Sequence, residues 1–158
     1  MLEELPSVFI VGPMGAGKTT VFNCLTGFYK ATAGSMFLNK GNERLNLKKF
    51  SDFKVAQKAG VARTFQNIRL FPQMSVLENM MVAQHNKLMA ASGFSILGLV
   101  NSKSYLQKEK EAMEISKYWL DIIGLTNRAD DNAGDLPYGD QRKLEIVRAM
   151  CIEPHLLC

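Results

Sequence analysis

Cysteine and histidine are scarce in this 158-residue sequence, which contains three cysteines and two histidines. The cysteines Cys24, Cys151 and Cys158 are odd in number and too widely spaced for a disulfide framework or a zinc site. We therefore predict free thiols, which are typical of proteins in a reducing cytosol.

The sequence also lacks a strong excess of charge of one sign, because its 19 basic and 15 acidic residues leave a net charge of +4. A nucleic-acid-binding protein usually carries a basic stripe with base-stacking aromatic residues. The basic stretch Lys103–Lys110 is interrupted by Glu109 and followed by Glu111. This mixture of charges indicates a solvated helix face. We therefore expect no nucleic-acid partner.

Long apolar runs are absent as well. The longest one near the middle covers only Gly93–Val100, which is far short of the roughly 20 residues that span a bilayer. The acidic start, Met1–Glu4, lacks the basic region of a signal peptide. With 47% hydrophobic residues the chain is predicted to be globular, and we expect any membrane association to occur through a partner.

A glycine-rich loop near the N-terminus is the most informative feature. The apolar run Val8–Val11 precedes it and is predicted to form a buried parallel strand. After the loop, apolar residues recur with helical spacing at Val21, Cys24, Leu25 and Phe28. The loop follows the pattern Gly-x4-Gly-Lys-Thr of the phosphate-binding P-loop. Its residues are Gly12, Pro13, Met14, Gly15, Ala16, Gly17, Lys18, Thr19 and Thr20.

Three residue types in this loop, glycine, lysine and threonine, are suited to binding phosphate for physical reasons. Glycine lets the backbone curl around an anion, so that N–H groups at the positive end of the next helix point at it. Lys18 can place its ammonium group on the β- and γ-phosphates, and the Thr19 hydroxyl can complete the shell of Mg²⁺. Thr20 can contact the α-phosphate. The loop therefore predicts a site for a nucleoside triphosphate and Mg²⁺.

The segments after the P-loop alternate between predicted strands and helices. Met36–Leu38 and Val61–Phe65 are predicted strands, and the polar segment Asn39–Asn46 is predicted to be a loop. A short helix over Phe50–Lys58 is expected to end near Gly60.

Helices dominate the second half of the prediction. Ser75 and Glu78 have the spacing of a capping box, which predicts the start of a helix. A second helix is expected to end at Gly124, and a third to begin in the Tyr138–Asp140 segment. Leu156–Cys158 begins another apolar run.

Three stretches of the sequence together resemble the ATPase subunits of ATP-binding cassette (ABC) transporters. They are Thr19–Tyr29, Arg63–Phe71 and Tyr138–Ile146, and within the family they are similar to the ATPase subunits of branched-chain amino acid importers. The resemblance covers nearly the whole chain. It implies an ATP-binding subunit that couples ATP binding and hydrolysis to the uptake of branched-chain amino acids.

The same resemblance implies roles for residues outside the P-loop. Gln66 would reach the Mg²⁺ and the attacking water, so that Lys18 and Gln66 act in catalysis and Thr19 and Gln66 at the metal. The signature segment would face the γ-phosphate of ATP bound by a second copy in a head-to-tail dimer. Its residues are Tyr138, Gly139, Asp140 and Gln141.

The resemblance also implies partners and a location. The expected partners are transmembrane permease subunits and a second ATPase subunit, which would keep the chain cytoplasmic and peripheral on the inner face of the plasma membrane. Apolar residues in segments predicted as loops suggest where the partner surface lies. These segments are Gln66–Phe71 and Phe94–Val100.

The implied fold class is α/β, with a P-loop NTPase (RecA-like) core, a mainly parallel sheet and an α-helical subdomain, incomplete at both ends. We expect residues 1–66 to form half of the P-loop core and residues 67–150 to form the helical subdomain with the signature helix. Residues 151–158 would begin the Walker B strand.

The sequence departs from the family pattern at several positions. Met14 replaces an asparagine, and Pro137 stands where the signature serine would be. The strands and the adenine-stacking aromatic residue expected before the P-loop are absent. The Walker B aspartate, the catalytic glutamate and the switch histidine would lie beyond Cys158, so we expect residues 1–158 alone to be inactive in hydrolysis.

Two other functions are compatible with a P-loop. A P-loop phosphotransferase such as a kinase should carry an arginine-rich lid, whereas Arg142 and Arg148 lie on the predicted signature helix. A non-catalytic nucleotide-binding fragment would need only the P-loop itself.

Overall fold

The structure, a computed structural model, describes residues 8–50, 53–64, 67–86, 88 and 103–158. The chain divides into two compact units, one of Met1–Val61 with Cys158 and one of Ala62–Leu157. In chain order the elements are α1 (Lys18–Leu25), β1 (Phe37–Lys40), β2 (Glu43–Asn46), α2 (Phe53–Ala59), β3 (Val61–Ala62), α3 (Val76–Ala83), α4 (Lys103–Ile122), α5 (Tyr138–Met150) and β4 (Leu156–Leu157).

The run that precedes the P-loop is not a strand, and this prediction was wrong. Val8–Val11 has no regular secondary structure, and the side chains of Val8 and Val11 are 84% and 92% exposed. A strand forms only where a neighbouring strand accepts and donates its backbone hydrogen bonds. The described residues pair no strand with this run, so its apolar sequence does not decide its conformation.

The helix after the P-loop is shorter than its apolar spacing predicts. α1 ends at Leu25, and Gly27 adopts a left-handed conformation with φ 83° just beyond it. Phe28 therefore lies outside the helix and is 59% exposed, although the sequence placed it on the apolar face. The hydroxyl of Thr26 donates a 2.7 Å hydrogen bond to the Phe22 carbonyl and helps to close the last turn.

The segment Asn39–Asn46, predicted to be a polar loop, instead belongs to a hairpin. It contains the last two residues of β1, the turn and the second strand β2. β1 and β2 pair antiparallel, with Lys40 opposite Glu43. Gly41 takes φ 56° in the two-residue turn, a conformation that tight hairpin turns require and that glycine adopts at no steric cost. The polar composition was misleading because both faces of this hairpin remain partly exposed.

The described strands form two two-stranded sheets, the antiparallel β1–β2 and β3–β4. A two-residue turn can join only antiparallel neighbours, whereas parallel strands need long crossover connections. Of the predicted strand Val61–Phe65, the structure shows only Val61–Ala62 as β3. Phe65 and Gln66 lie outside the described residues.

In the second unit, α3, α4 and α5 pack around one apolar core, as their spacing predicted. The capping box at the start of α3 is confirmed, because Ser75 Oγ accepts from the Glu78 N–H at 3.1 Å and Glu78 Oε2 accepts from the Ser75 N–H at 2.7 Å. The core residues are all less than a tenth exposed: Val76, Met80, Leu120, Leu125, Ala133, Leu136, Leu144, Val147 and Cys151.

The ends of α4 and α5 also agree with the sequence. Gly124 takes φ 71° two residues after α4 ends, and α5 begins at Tyr138. The three cysteines are free thiols, as predicted. Among the helices of the described residues, none is long and apolar enough to cross a membrane.

Candidate functional site

The P-loop in the first unit has the open backbone that a phosphate site needs. Gly15 and Gly17 have φ angles of 79° and 83°, in the left-handed region that favours glycine. A Cβ built on either of them would meet no atom of the described residues within 4 Å. Gly17 is the N-cap of α1, so the first amides of that helix lie next to the open loop.

Lys18 folds its side chain back over this loop. Its ammonium donates hydrogen bonds of 2.7 Å to the carbonyl oxygens of both Gly12 and Pro13. The charged group is therefore bonded to the start of the loop. A phosphate bound in the loop would have the Lys18 ammonium and the first amides of α1 as donors from neighbouring residues.

The other P-loop residues are exposed and leave the loop accessible. Met14 is 99% exposed, so the side chain that replaces the family's asparagine is fully in solvent. Thr19 and Thr20 lie in the first turn of α1 and are exposed as well. Their hydroxyls are therefore accessible to a metal ion and a phosphate.

The signature segment lies at the start of α5 in the second unit. Pro137 is the N-cap residue, and its carbonyl accepts from the N–H groups of Asp140 and Gln141 at 2.9 and 3.0 Å. Proline has no side-chain acceptor, so the capping role of a serine at this position is lost. Tyr138 is 72% exposed, and a Cβ on Gly139 would meet no described atom within 4 Å.

Within the segment, Gln141 and Asp140 make different contacts. The Gln141 amide donates to the Leu136 carbonyl at 2.8 Å and to the Gly134 carbonyl at 3.3 Å, so it fastens the preceding turn to α5. Asp140 forms an ion pair with Lys143 at 2.8 Å. The segment therefore presents Tyr138 and Gly139 outward, while Gln141 supports them from within the unit.

The predicted partner surface is described only in part. Phe71 is 49% exposed, whereas Leu70 packs against the core of the second unit. Gln66 and Phe94–Val100 lie outside the described residues, so the catalytic and metal roles of Gln66 stay predictions. Among the apolar residues in the described part of this surface, Phe71 is exposed, whereas Ile68 and Leu70 are half-buried.

Sequence reasoning missed the residue that fixes the loop around Phe71. Asn79 is fully buried on α3. Its Oδ1 accepts from the Phe71 N–H at 2.9 Å, and its Nδ2 donates to the Phe71 carbonyl at 3.0 Å. The one available signal was an asparagine on the apolar side of a predicted helix, where a buried amide must find hydrogen-bond partners.

Two arginines on α5 surround a buried carboxylate. Arg142 lies 2.5 Å from Glu145, whose side chain is only 3% exposed. Burial lowers the pKa of Arg148 from its ordinary value, and the Glu145 carboxylate opposes that shift. Arginine nevertheless remains protonated in proteins, so Arg148 stays charged at neutral pH.

No group of three histidine, cysteine or acidic residues in the described part of the chain could hold a metal ion. The described residue that could contact a Mg²⁺ ion at the P-loop is Thr19, through its hydroxyl, with phosphate oxygens and water as the other ligands. That ligand set suits Mg²⁺, which usually keeps several waters and binds through substrate phosphates.

The chain is similar to ATP-binding proteins of known transport systems. The chain is 47% identical over 156 residues to the high-affinity branched-chain amino acid transport ATP-binding protein BraF of Pseudomonas aeruginosa. It is 46% identical over 158 residues to the corresponding protein LivG of Escherichia coli. These matches cover 99% of the chain but only 58% and 59% of the two relatives.

The fold comparison gives the same answer. The ADP conformation of MJ1267, an ATP-binding cassette of an ABC transporter, matches with a TM-score of 0.69 and 30% identity. The match covers 93% of this chain and 54% of that one. It confirms the predicted α/β P-loop fold class. Residues 2–158 match the family model described as ABC transporter, and the chain therefore belongs to the ABC transporter family.

Proposed function

We propose that this chain acts in the ATP-binding subunit of an ABC importer and couples ATP binding and hydrolysis to the uptake of branched-chain amino acids. The observation that carries the proposal is the open P-loop with Lys18 folded over it, in a chain 47% identical to a transport protein of that kind. Because the chain spans less than three fifths of its relatives, hydrolysis and transport belong to the assembled subunit.

The P-loop residues Gly12–Thr20 would hold the triphosphate. The backbone at Gly15 and Gly17 approaches without side-chain obstruction, and the N-terminus of α1 favours a negative charge. Lys18 would exchange its bonds to the carbonyls of Gly12 and Pro13 for bonds to the β- and γ-phosphates. Charge-assisted bonds to phosphate are stronger than bonds to neutral carbonyls, so this exchange favours binding.

Mg²⁺ fits the same loop. Thr19 would provide the hydroxyl ligand from the first turn of α1, and Gln66 would complete the shell and orient water. When bound, Mg²⁺ neutralises charge on the phosphate oxygens. Lys18 and Thr19 themselves bind and orient the triphosphate, which is the main contribution of a protein to phosphoryl transfer.

The signature residues Tyr138, Gly139, Asp140 and Gln141 would act on ATP held by a second ATPase subunit in a head-to-tail dimer. Tyr138 and Gly139 are exposed at a helix start, where backbone N–H groups favour an anion. Gln141 holds this start in shape through its bonds to Leu136 and Gly134. Permease subunits would then keep the dimer on the inner face of the plasma membrane.

A comparison of two aromatic residues tests the partner. Phe71 and Phe37 are each 49% exposed, and each ring lies beside an arginine, Arg148 and Arg44 respectively. Phe71→Glu should abolish co-purification with tagged branched-chain amino acid permease subunits while ATP binding is retained. Phe37→Glu should retain both.

The two outcomes that oppose the proposal are distinct. If the parent chain fails to co-purify with the permease subunits, the proposed partner is wrong. If Phe71→Glu and Phe37→Glu lose co-purification equally, the surface around Phe71 is not the contact. Leu70 is unsuitable for the test because a charge there would enter the core.

A further inference from the structure

One arginine of α5 holds the exposed loop Arg69–Phe71 from the side. Arg148 Nη2 donates a hydrogen bond to the Arg69 carbonyl at 2.5 Å. Its guanidinium carbon lies 5.8 Å from the centroid of the Phe71 ring, which is within the range of a cation–π contact. Arg148 therefore contacts both the backbone and the exposed side chain of the same loop, 79 residues away in sequence.

Arginine is suited to this double contact. Its planar fork can donate to a carbonyl while its face lies against an aromatic ring, whereas the ammonium of lysine offers only a point charge. Partial burial strengthens both contacts because less water competes for the guanidinium. The buried carboxylate of Glu145, one turn earlier on α5, stabilises the charge that both contacts use.

The rest of the loop is fastened to the turn that leads into α5. The Gly134 N–H donates to the Pro72 carbonyl at 3.1 Å, and the Ala133 N–H donates to the Met74 carbonyl at 2.9 Å. A Cβ on Gly134 would lie 3.0 Å from Pro72 Cβ and 3.1 Å from the Pro72 carbonyl oxygen, so a larger residue there would push the two segments slightly apart. Asn79 completes the attachment from α3 through both backbone groups of Phe71.

These contacts join the loop to the turn before α5 and to the C-terminal half of that helix. Gly134 lies four residues before Tyr138, the first residue of α5, and Arg148 lies ten residues after it, or about 15 Å along the axis. A displacement of the signature segment would be transmitted along α5 to Arg148. Arg148 links the loop directly to this helix, whereas Gly134 and Ala133 link it to the turn before the helix.

We propose that Arg148 is a positioning residue that makes the Arg69–Phe71 loop move together with α5. The contact itself is independent of the proposed function. Its consequence rests on that function. When the signature segment moves on the nucleotide of a second subunit, Arg148 makes the surface around Phe71, which faces the permease, move as well.

Amide hydrogen exchange tests the contact between Arg148 and the loop. It is measured for residues 8–158 of the full 158-residue chain. The informative amides are those of Phe71, Ala133 and Gly134, because each donates one of the hydrogen bonds that attach the loop to α3 or to the turn before α5. Arg148→Met should increase their exchange rates about tenfold, because a hydrogen bond to a charged group and the ring contact are lost. Protected amides of α4 should keep their rates.

Two further variants separate positioning from general stability. Arg148→Lys keeps the charge but not the planar fork, and should still increase the loop rates about threefold without changing α4. Lys143→Met removes a cation from the exposed side of the same helix, where Lys143 pairs with Asp140, and should leave the loop rates unchanged. Arg148→Lys also keeps the test decisive if Arg148→Met does not fold.

Three results overturn the inference. The first is that the amides of the loop exchange in Arg148→Lys and Arg148→Met at rates within a factor of two of the parent. The second is that the exchange rates of the loop and of α4 increase equally. The third is that Arg148→Met co-purifies with the permease subunits as well as the parent chain does. If the parent itself is not retained, the proposed function fails while the exchange rates still decide the role of Arg148.

Discussion

Lys18 donates a 2.7 Å hydrogen bond from its ammonium to the carbonyl oxygen of Gly12, six residues earlier in the same loop. A second bond of the same length reaches the Pro13 carbonyl. The loop thus binds its own cation at its first two residues, while the backbone at Gly15 and Gly17 stays open. This arrangement presents positive charge at the site before any phosphate binds.

Lys18→Ala should weaken the binding of Mg²⁺-ATP by about 10- to 100-fold, because bonds to a charged group contribute about 1.5–3 kcal/mol. Isothermal calorimetry measures the loss. Lys48→Ala is the matched control, since Lys48 also donates from its ammonium to a glycine carbonyl, that of Gly34 at 3.3 Å. Equal affinities of Lys18→Ala and the parent would show that the P-loop interpretation is wrong.

The two glycines Gly17 and Gly12 should respond differently to alanine. Gly17 has φ 83°, so Gly17→Ala imposes a strain of about 1–2 kcal/mol and should weaken ATP binding about tenfold. Gly12 does not have a positive φ, and a Cβ there would meet Ala16 Cβ at an ordinary 3.4 Å. Gly12→Ala should therefore change the affinity less than about threefold. The reverse order of affinities would contradict the loop geometry.

Gly139→Ala should separate the stability of α5 from its proposed nucleotide contact. Gly139 lies in the first turn of the helix with open space around its Cα, so alanine should stabilise the fold by about 0.5–1 kcal/mol. The added methyl group would nevertheless stand where ATP of a second subunit is proposed to approach. We expect a higher denaturation midpoint together with weaker ATP-dependent self-association. Unchanged self-association, measured by sedimentation, would remove Gly139 from that contact.

Asn79→Leu should be strongly destabilising although leucine is similar in size. The substitution leaves the N–H and carbonyl of Phe71 without the amide partners they have at 2.9 and 3.0 Å. Each unsatisfied buried group costs about 1–3 kcal/mol, so we expect a loss of about 2–4 kcal/mol in urea unfolding. Asn86→Leu, at an exposed position after α3, should change the free energy of unfolding by less than about 0.5 kcal/mol.

Features that depend on short spacing along the chain could be predicted from the amino-acid sequence. The P-loop glycines, the capping box of Ser75 and Glu78, and the start of α5 at Tyr138 were all predictable. Each of these features is built by residues within one or two helical turns of one another, so local geometry suffices to specify it. The family resemblance rested on the same short motifs.

Features that need partners distant in sequence could not be predicted in this way and became visible in the folded chain. Val8–Val11 has strand composition but no strand, because a strand depends on its neighbour. The segment Asn39–Asn46 has loop composition but forms the end of β1, a turn and β2, because Phe37–Lys40 pairs with Glu43–Asn46. The hydrogen bond from Arg148 to the Arg69 carbonyl joins residues that are 79 positions apart in the sequence, and no pattern within one segment indicates it. Such contacts arise when helices pack, and packing brings together side chains whose separation along the chain carries no periodic signal.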